Sequence, residues 1–131
     1  MQSIVEVNVR NINDILKMSV KKAVILYFWA EQAPDSVKAK QVLEKLAQQY
    51  KDKAIIGFVN VNKEPQIAAH LGLTNIPELK LIKNAQLEDE IYDDFSEQSL
   101  KDFFKRHLGA ANNTTEDKEK DKITEITNKI I

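Results

Sequence analysis

The sequence predicts an α/β domain whose central mixed sheet is flanked by helices. Two apolar runs, residues 23–28 and 54–61, have the length and the β-branched content of strands buried on both faces. Pro34 and Pro65 each open an amphipathic stretch, which is typical of a proline in the first turn of a helix. Residues 79–92 alternate about a tight turn and predict a hairpin. The expected order of elements is therefore βαβαβαββα.

The chain begins with an edge-like strand and a short helix. Four apolar residues in an otherwise polar run predict the strand: Ile4, Val5, Val7 and Val9. Either Asn11 or Asn13 can cap the helix, because an asparagine side chain accepts hydrogen bonds from free backbone N–H groups. We expect this helix to pack four residues inward: Ile12, Ile15, Leu16 and Val20. The apolar run at 23–28 ends in Trp29 and predicts the centre of the sheet.

Two central helices of unequal length are expected. The longer one runs from Pro34 to about Tyr50, and its apolar stripe comprises Val37, Leu43, Leu46, Ala47 and Tyr50. The shorter one begins at Pro65 and ends at Gly72, since glycine readily adopts the left-handed conformation that terminates helices.

A hairpin and a final helix complete the predicted domain. Asn84 and Ala85 offer a tight turn, and the second strand of the hairpin is expected around residues 87–92. Ser96 can cap the last helix, and Gly109 can end it. One face of this helix is apolar: Leu100, Phe103, Phe104 and Leu108.

Composition divides the chain into three parts. Residues 1–109 carry regular apolar periodicity and form the predicted domain, whereas residues 110–122 have the polar, charged composition of a linker. Residues 123–131 predict a short amphipathic helix, because isoleucines recur there at near-helical spacing: Ile123, Ile126, Ile130 and Ile131. Such a stripe predicts a partner, which is the domain itself, a second copy of the chain or another protein.

The composition excludes several classes of function. The chain has 131 residues and a formal net charge of -1, so no long-range attraction to nucleic acid or to an anionic membrane is expected. No cysteine is present, which leaves no disulfide, no thiolate metal site and no sulfur nucleophile. His70 and His107 have no partner at a spacing typical of a metal site, and we expect neither a metal nor another cofactor. No apolar run is long enough to span a membrane, and we expect a cytoplasmic protein.

Three short segments resemble the thioredoxin family, and the likeness covers about residues 3–109. They are LYFWAE at 26–31, VNV at 59–61 and LTNIP at 73–77. The resemblance implies a thioredoxin fold in which Pro77 is the family's cis-proline. Further likeness to the thioredoxin-like domain of the bacterial co-chaperone chaperedoxin (YbbN) lies in residues 27–29, 67–69 and 71–73.

Where thioredoxins carry Trp-Cys-Gly-Pro-Cys, this chain has Gln-Ala-Pro-Asp-Ser at residues 32–36. The comparison implies that Ala33 and Ser36 replace the two redox cysteines, so the motif is degenerate at Ala33, Pro34, Asp35 and Ser36. By the same comparison, Tyr27 replaces the family's buried acid and Phe58 its partner lysine. Independently of the family, Asp35 and Ser36 suit the first turn of a helix. Because thiol–disulfide exchange needs a thiolate, we expect no such activity and no enzyme.

The resemblance also implies a groove that binds extended polypeptides. The expected contacts are Trp29, Gln32, Ala33, Pro34, Asn75, Ile76, Pro77, Asp93 and Asp94. Trp29 and Ile76 alternatively pack in the core beneath the site. Asp93 and Asp94 form the expected rim of this groove. They belong to an acidic segment without Lys or Arg: Glu88, Asp89, Glu90, Asp93, Asp94 and Glu97. This segment is expected either to attract basic partners or to be a solvated hairpin edge that discourages strand addition.

Three functions are consistent with these observations. The favoured one is a non-redox protein-binding module, chaperone-like or co-chaperone-like, that holds extended segments of client proteins or peptides. A first alternative is a thioredoxin-type disulfide oxidoreductase whose cysteines were lost or replaced. A second alternative is a structural subunit that assembles, including into a homo-oligomer, through the isoleucine stripe.

Overall fold

Five strands form one mixed sheet in a computed structural model that describes residues 3–73 and 75–111. The strands are β1 (Ile4–Glu6), β2 (Ala23–Trp29), β3 (Ala54–Asn60), β4 (Glu78–Lys83) and β5 (Gln86–Ile91). The helices are α1 (Ile12–Lys17), α2 (Pro34–Gln49), α3 (Pro65–His70) and α4 (Glu97–Leu108), and a 3₁₀ turn covers Met18–Val20. This sequence of elements confirms the predicted α/β order.

The sheet order is β1-β3-β2-β4-β5, so the apolar strands β2 and β3 lie inside it. β3 runs parallel to both β1 and β2, whereas β4 is antiparallel to β2 and to β5. Every residue of β3 and the first six of β2 are buried, because helices cover both faces. One face packs on α2 and α4, and the other packs on α1 and α3.

The hairpin turn and the ends of the last helix also match the predictions. Asn84 and Ala85 both have positive φ, at 52° and 62°, which is the backbone of a type I′ turn. The Ser96 side chain accepts a hydrogen bond from the Ser99 N–H at 3.2 Å and caps α4. Gly109 follows the helix with a φ of 82°.

The beginning of the chain differs from the predictions in three respects. First, β1 ends at Glu6, so Val9 is not part of the strand and is 51% exposed. Val20 is 65% exposed, so the prediction that it packs inward is wrong. The reason is that α1 ends at Lys17 and the next residues form a 3₁₀ turn, which has fewer residues per turn and moves Val20 off the buried face. The Asn11 side chain does not cap α1, because its Oδ1 accepts a hydrogen bond from the Asn8 N–H at 2.8 Å.

After α4 the chain stays in contact with the domain through residue 111. Tyr50 donates a hydrogen bond from its hydroxyl to the Gly109 carbonyl at 2.9 Å, and Lys53 Nζ donates to the Ala110 carbonyl at 2.8 Å. Ala111 packs against the core on the α2 and α4 face. The remaining part of the predicted linker and the whole isoleucine stripe lie outside the described residues.

Candidate functional site

A cleft of about 700 Å³ lies at the end of the sheet where α2 begins. Three segments form it: one face of α2, the residues just before β4, and the connection from β5 to α4. Its lining residues are Asp35, Lys38, Ala39, Val42, Asn75, Ile76, Pro77, Tyr92, Asp93, Phe95, Ser96 and Glu97. These segments are distant in sequence, and the strand order of the sheet brings them together.

The cleft contains four of the nine residues expected to bind polypeptide: Asn75, Ile76, Pro77 and Asp93. The Ile76–Pro77 peptide bond is cis, as the resemblance implied. Asp94 lies at a neighbouring cleft of about 420 Å³, which meets the first at Asp93 and Ser96.

The other four expected residues do not line this cleft. Trp29 is half-buried against the core, and Lys40 Nζ lies 5.0 Å from the centroid of its ring, so the core alternative describes Trp29 well. The Gln32 amide exchanges two hydrogen bonds with the Asn62 amide, at 2.7 and 3.2 Å. Ala33 and Pro34 form the beginning of α2, where Ala33 precedes the first helical residue and Pro34 is exposed.

Ser36 stands at the second of the two cysteine positions of the resembled motif and is completely buried. Its Oγ accepts a hydrogen bond from the Ala30 N–H at 3.1 Å. Its single O–H lies within reach of two acceptors, the Ala33 carbonyl at 2.6 Å and the Ala30 carbonyl at 2.8 Å. The hydroxyl therefore joins the end of β2 to the first turn of α2, and no described histidine lies among its hydrogen-bond partners.

Tyr27 lies directly beneath this turn. Its hydroxyl donates a hydrogen bond to the Ser36 carbonyl at 2.8 Å, and its ring contacts Phe58 and the cleft residue Phe95 at centroid distances of 6.1 and 6.0 Å. Burial raises the pKa of the phenol above its ordinary value, so the hydroxyl keeps the proton that it donates to Ser36. Tyr27 thus connects the motif turn with the β5–α4 wall of the cleft.

The sequence analysis missed several lining residues. On α2, the four that reach the cleft are Asp35, Lys38, Ala39 and Val42. Their spacing of three, four and seven residues places them on one helix face, so helical periodicity counted from the motif identifies them. Tyr92 and Phe95 carry a second signal, since two aromatic residues flank the acidic pair at 93–94 and Tyr92 is 58% exposed.

Residues 3–73 and 75–111 contain no group of three His, Cys, Asp or Glu side chains that could hold a metal ion. Within the same two ranges, none of the helices combines the length and the apolar character needed to cross a membrane. The expected cytoplasmic location stays a prediction.

Comparison with known proteins relates this geometry to one family. The thioredoxin family model matches residues 3–106. A thioredoxin of Buchnera aphidicola subsp. Baizongia pistaciae is 35% identical over 88 residues, which are 67% of this chain and 81% of the relative. A thioredoxin of Chlorobaculum thiosulfatiphilum is 32% identical over 88 residues, 67% of this chain and 82% of that protein. Thioredoxin 1 of a Nostoc species is 29% identical over 85 residues, 65% of this chain and 79% of the relative.

These relatives correct one expectation and leave another without support. The expectation that the chain is not an enzyme is wrong, because the matching family and the relatives bear the name of thiol–disulfide oxidoreductases. The finer likeness to chaperedoxin receives no support from them. A fact of composition remains, since the chain has no cysteine and carries Ala33 and Ser36 at the motif. Because the match includes all five strands and extends into α4, this chain belongs to the thioredoxin family.

Proposed function

We propose that this chain has a thioredoxin-type function in which the cleft binds an extended segment of a protein substrate beside positions 33 and 36. The observation that carries the proposal is the convergence of Asp35, Ile76 and Asp93 on one cleft. These three residues come from the motif helix, the segment before β4 and the β5–α4 connection. A cleft bounded in this way places a bound backbone next to the motif.

The walls of the cleft suit a polypeptide better than a small polar metabolite. Val42, Ile76, Pro77 and Phe95 are all half-buried, and they provide an apolar surface that is open to solvent. An apolar side chain of a substrate would bury surface there, which is worth roughly 25 cal/mol per Å² of apolar area. Residues 75–77 immediately precede the first paired residue of β4, Glu78, and supply backbone groups at the edge of the cleft.

The names of the relatives support the redox half of a thioredoxin-type function, which requires cysteine at positions 33 and 36. Ala33 and Ser36 cannot perform that reaction. With cysteine at both positions, the thiolate at position 33 would attack a substrate disulfide and form a mixed disulfide, which the thiol at position 36 would then resolve. The substrate leaves with two thiols, and the protein is left with one disulfide. Ala33 precedes α2 and Ser36 lies in its first turn, where the helix dipole stabilises a thiolate.

The first experiment restores sulfur in an Ala33→Cys/Ser36→Cys variant and measures the reduction of insulin disulfides, with dithiothreitol returning the protein to its dithiol form. The expected result is faster insulin precipitation than with the unsubstituted chain. A variant that forms the 33–36 disulfide and yet does not accelerate precipitation would contradict the redox half of the proposal.

A second experiment tests the binding half with a single thiol. In Ala33→Cys, the thiolate attacks a peptide activated as an aryl disulfide, which forms a protein–peptide disulfide and releases the aryl thiolate. Ala69→Cys is the matched control, because Ala69 is an exposed residue of α3 on the other face of the sheet. Each rate is divided by the rate with a small aryl disulfide, which removes differences in thiol reactivity. Equal normalised rates for the two variants would contradict binding beside position 33.

A second candidate function is the chaperone-like holding of extended client segments in the cleft. The observation that favours it is the apolar surface of the cleft at Val42, Ile76 and Phe95, where an apolar side chain of a client can be buried. The discriminating measurement is suppression of the aggregation of an unfolded protein by the chain as it stands. No suppression at a molar excess of the chain would exclude this candidate.

A further inference from the structure

The cleft between α2, residues 75–77 and the β5–α4 connection has apolar walls and a charged rim, and the rim is predominantly acidic. Its charged lining residues are the acids Asp35, Asp93 and Glu97 and a single base, Lys38. Within the described part of the chain, Asp35 and Asp93 have neither an ion pair nor a hydrogen bond to their carboxylates. Their charges are therefore available to a ligand in the cleft.

The third acid, Glu97, is already paired but only weakly held. Its carboxylate lies 3.1 Å from Lys101 Nζ, and both side chains are more than half exposed, at 54% and 51%. An ion pair between exposed side chains contributes little free energy, so a cationic ligand can compete for the carboxylate. The hydrogen bond from Lys101 lowers the pKa of Glu97, which keeps the group ionised at neutral pH.

The acidic surface continues beyond the cleft. The neighbouring cleft shares Asp93 and Ser96 with the first and adds Asp94 and Asp102. The Ser96 N–H donates to Asp94 at 3.1 Å and holds the pKa of that carboxyl below its usual range. The one Arg of this second cleft, Arg106, lies 3.7 Å from Asp89, which partly neutralises it. A bound peptide that leaves the first cleft over Asp93 therefore meets further negative charge.

We propose that the cleft selects extended segments in which Lys or Arg residues flank an apolar side chain, an inference that rests on the proposed function. The apolar side chain contacts the apolar walls at Val42, Ile76 and Phe95, and the basic side chains lie against Asp35 and Asp93. Complementary charge of this kind acts mainly on the association rate and declines as ionic strength rises. Acidic segments are excluded because like charges would face each other across the rim.

The test uses two fluorescein-labelled peptides with the same central Leu-Val pair, one flanked by Lys and the other by Glu. Binding to the full chain is followed by fluorescence anisotropy and by stopped flow, at low and at physiological ionic strength. We expect the Lys peptide to associate about tenfold faster than the Glu peptide at low ionic strength, and we expect salt to reduce the difference. Lys38→Gln removes the one basic residue that lines the cleft and is expected to increase the preference.

The decisive variant is Asp93→Lys, and Asp14→Lys is its matched control. Both change the net charge by the same amount, but Asp14 is an exposed residue of α1 on the other side of the sheet. Loss of the preference in Asp93→Lys alone supports the inference. Equal loss in both variants overturns it, because net charge would then be the cause. Equal binding of both peptides to the unsubstituted chain overturns the charge selection and leaves the proposed function standing, whereas no binding of either peptide overturns both.

Discussion

The Tyr27 hydroxyl donates a 2.8 Å hydrogen bond to the backbone carbonyl of Ser36. Both residues are completely buried, and together they join the central strand β2 to the first turn of α2. The resemblance implies that Tyr27 stands where thioredoxins have a buried acid. In this structure the Tyr27 phenol braces the motif turn through its hydrogen bond to Ser36.

The buried hydroxyl of Ser36 is expected to stabilise the fold. Ser36→Ala removes the acceptor of the Ala30 N–H, and Ala30 is itself only 2% exposed. Leaving this donor unsatisfied is expected to lower the free energy of unfolding by about 2 kcal/mol, measured by urea denaturation. Ser99→Ala is the control, since Ser99 is half-buried and its own hydroxyl is not part of such a network. A loss no greater than that of the control would show that the Ser36 network contributes no stability.

The buried phenol of Tyr27 predicts a specific dependence of stability on pH. Burial raises the pKa of Tyr27 above its ordinary value of about 10, so the folded state retains the proton where the unfolded state releases it. The contribution of Tyr27 is therefore complete below about pH 10 and is lost as the pH rises further. Tyr27→Phe lacks this titration but also lacks the hydrogen bond to Ser36, which costs about 1 kcal/mol.

The two effects together give the expected outcome for Tyr27→Phe. At neutral pH the variant is less stable than the unsubstituted chain by about 1 kcal/mol. Above about pH 10 this deficit shrinks by roughly 1 kcal/mol for each pH unit, because only the unsubstituted chain has the titrating phenol. Urea denaturation at several pH values measures both quantities. A deficit that stays constant up to about pH 11 would mean that the phenol ionises normally in the folded state.

Lys80 is expected to make a large contribution to the stability of the fold because it neutralises two carboxylates on the sheet. Its Nζ lies 3.0 Å from Glu78 and 2.7 Å from Glu90, and the Glu78 side chain is only 9% exposed. Burial acts to lower the pKa of Lys80, but the hydrogen bonds to Glu90 and Glu78 and the coulombic attraction of the two carboxylates together outweigh burial and raise it. Lys80→Met therefore leaves Glu78 buried without its partner and is expected to destabilise the fold by about 3 kcal/mol.

A double variant separates this charge effect from simple loss of packing. Glu78→Leu/Lys80→Met removes the buried carboxylate together with its cation, and it is expected to recover most of the stability lost in Lys80→Met. Thermal and urea denaturation of both variants provide the measurement. If the double variant is as unstable as the single one, the ion pair does not explain the loss.

The hairpin turn offers a stabilising substitution. Ala85 has a φ of 62°, a conformation that alanine adopts only at a cost and that glycine adopts freely. Ala85→Gly is expected to raise the free energy of unfolding by about 0.5 to 1 kcal/mol. Ala69→Gly, the same change within α3, is expected to lower it by a similar amount. Destabilisation by Ala85→Gly would contradict the turn geometry.

Most of the fold could be predicted from the sequence because its signals are local. The buried strands β2 and β3 are continuous apolar runs, the prolines at 34 and 65 mark helix starts, and Ser96 caps α4 as its type suggests. The error at Val20 is also local in origin. The predicted α-helical period continues past Lys17, whereas the chain changes there to 3₁₀ geometry. Helix ends depend on a few competing hydrogen bonds, which hydrophobic periodicity does not report.

By itself the sequence determined the order of elements, the family likeness and the absence of thiols at positions 33 and 36, because each depends on residue types at short spacing. Only the tertiary structure decided which expected residues meet. It brings Asn75, Ile76, Pro77 and Asp93 into the cleft, adds one face of α2, and leaves Trp29 and Gln32 in other contacts. The physical reason is that a cleft is formed by segments brought together by the order of strands in the sheet, whereas sequence patterns report each segment separately.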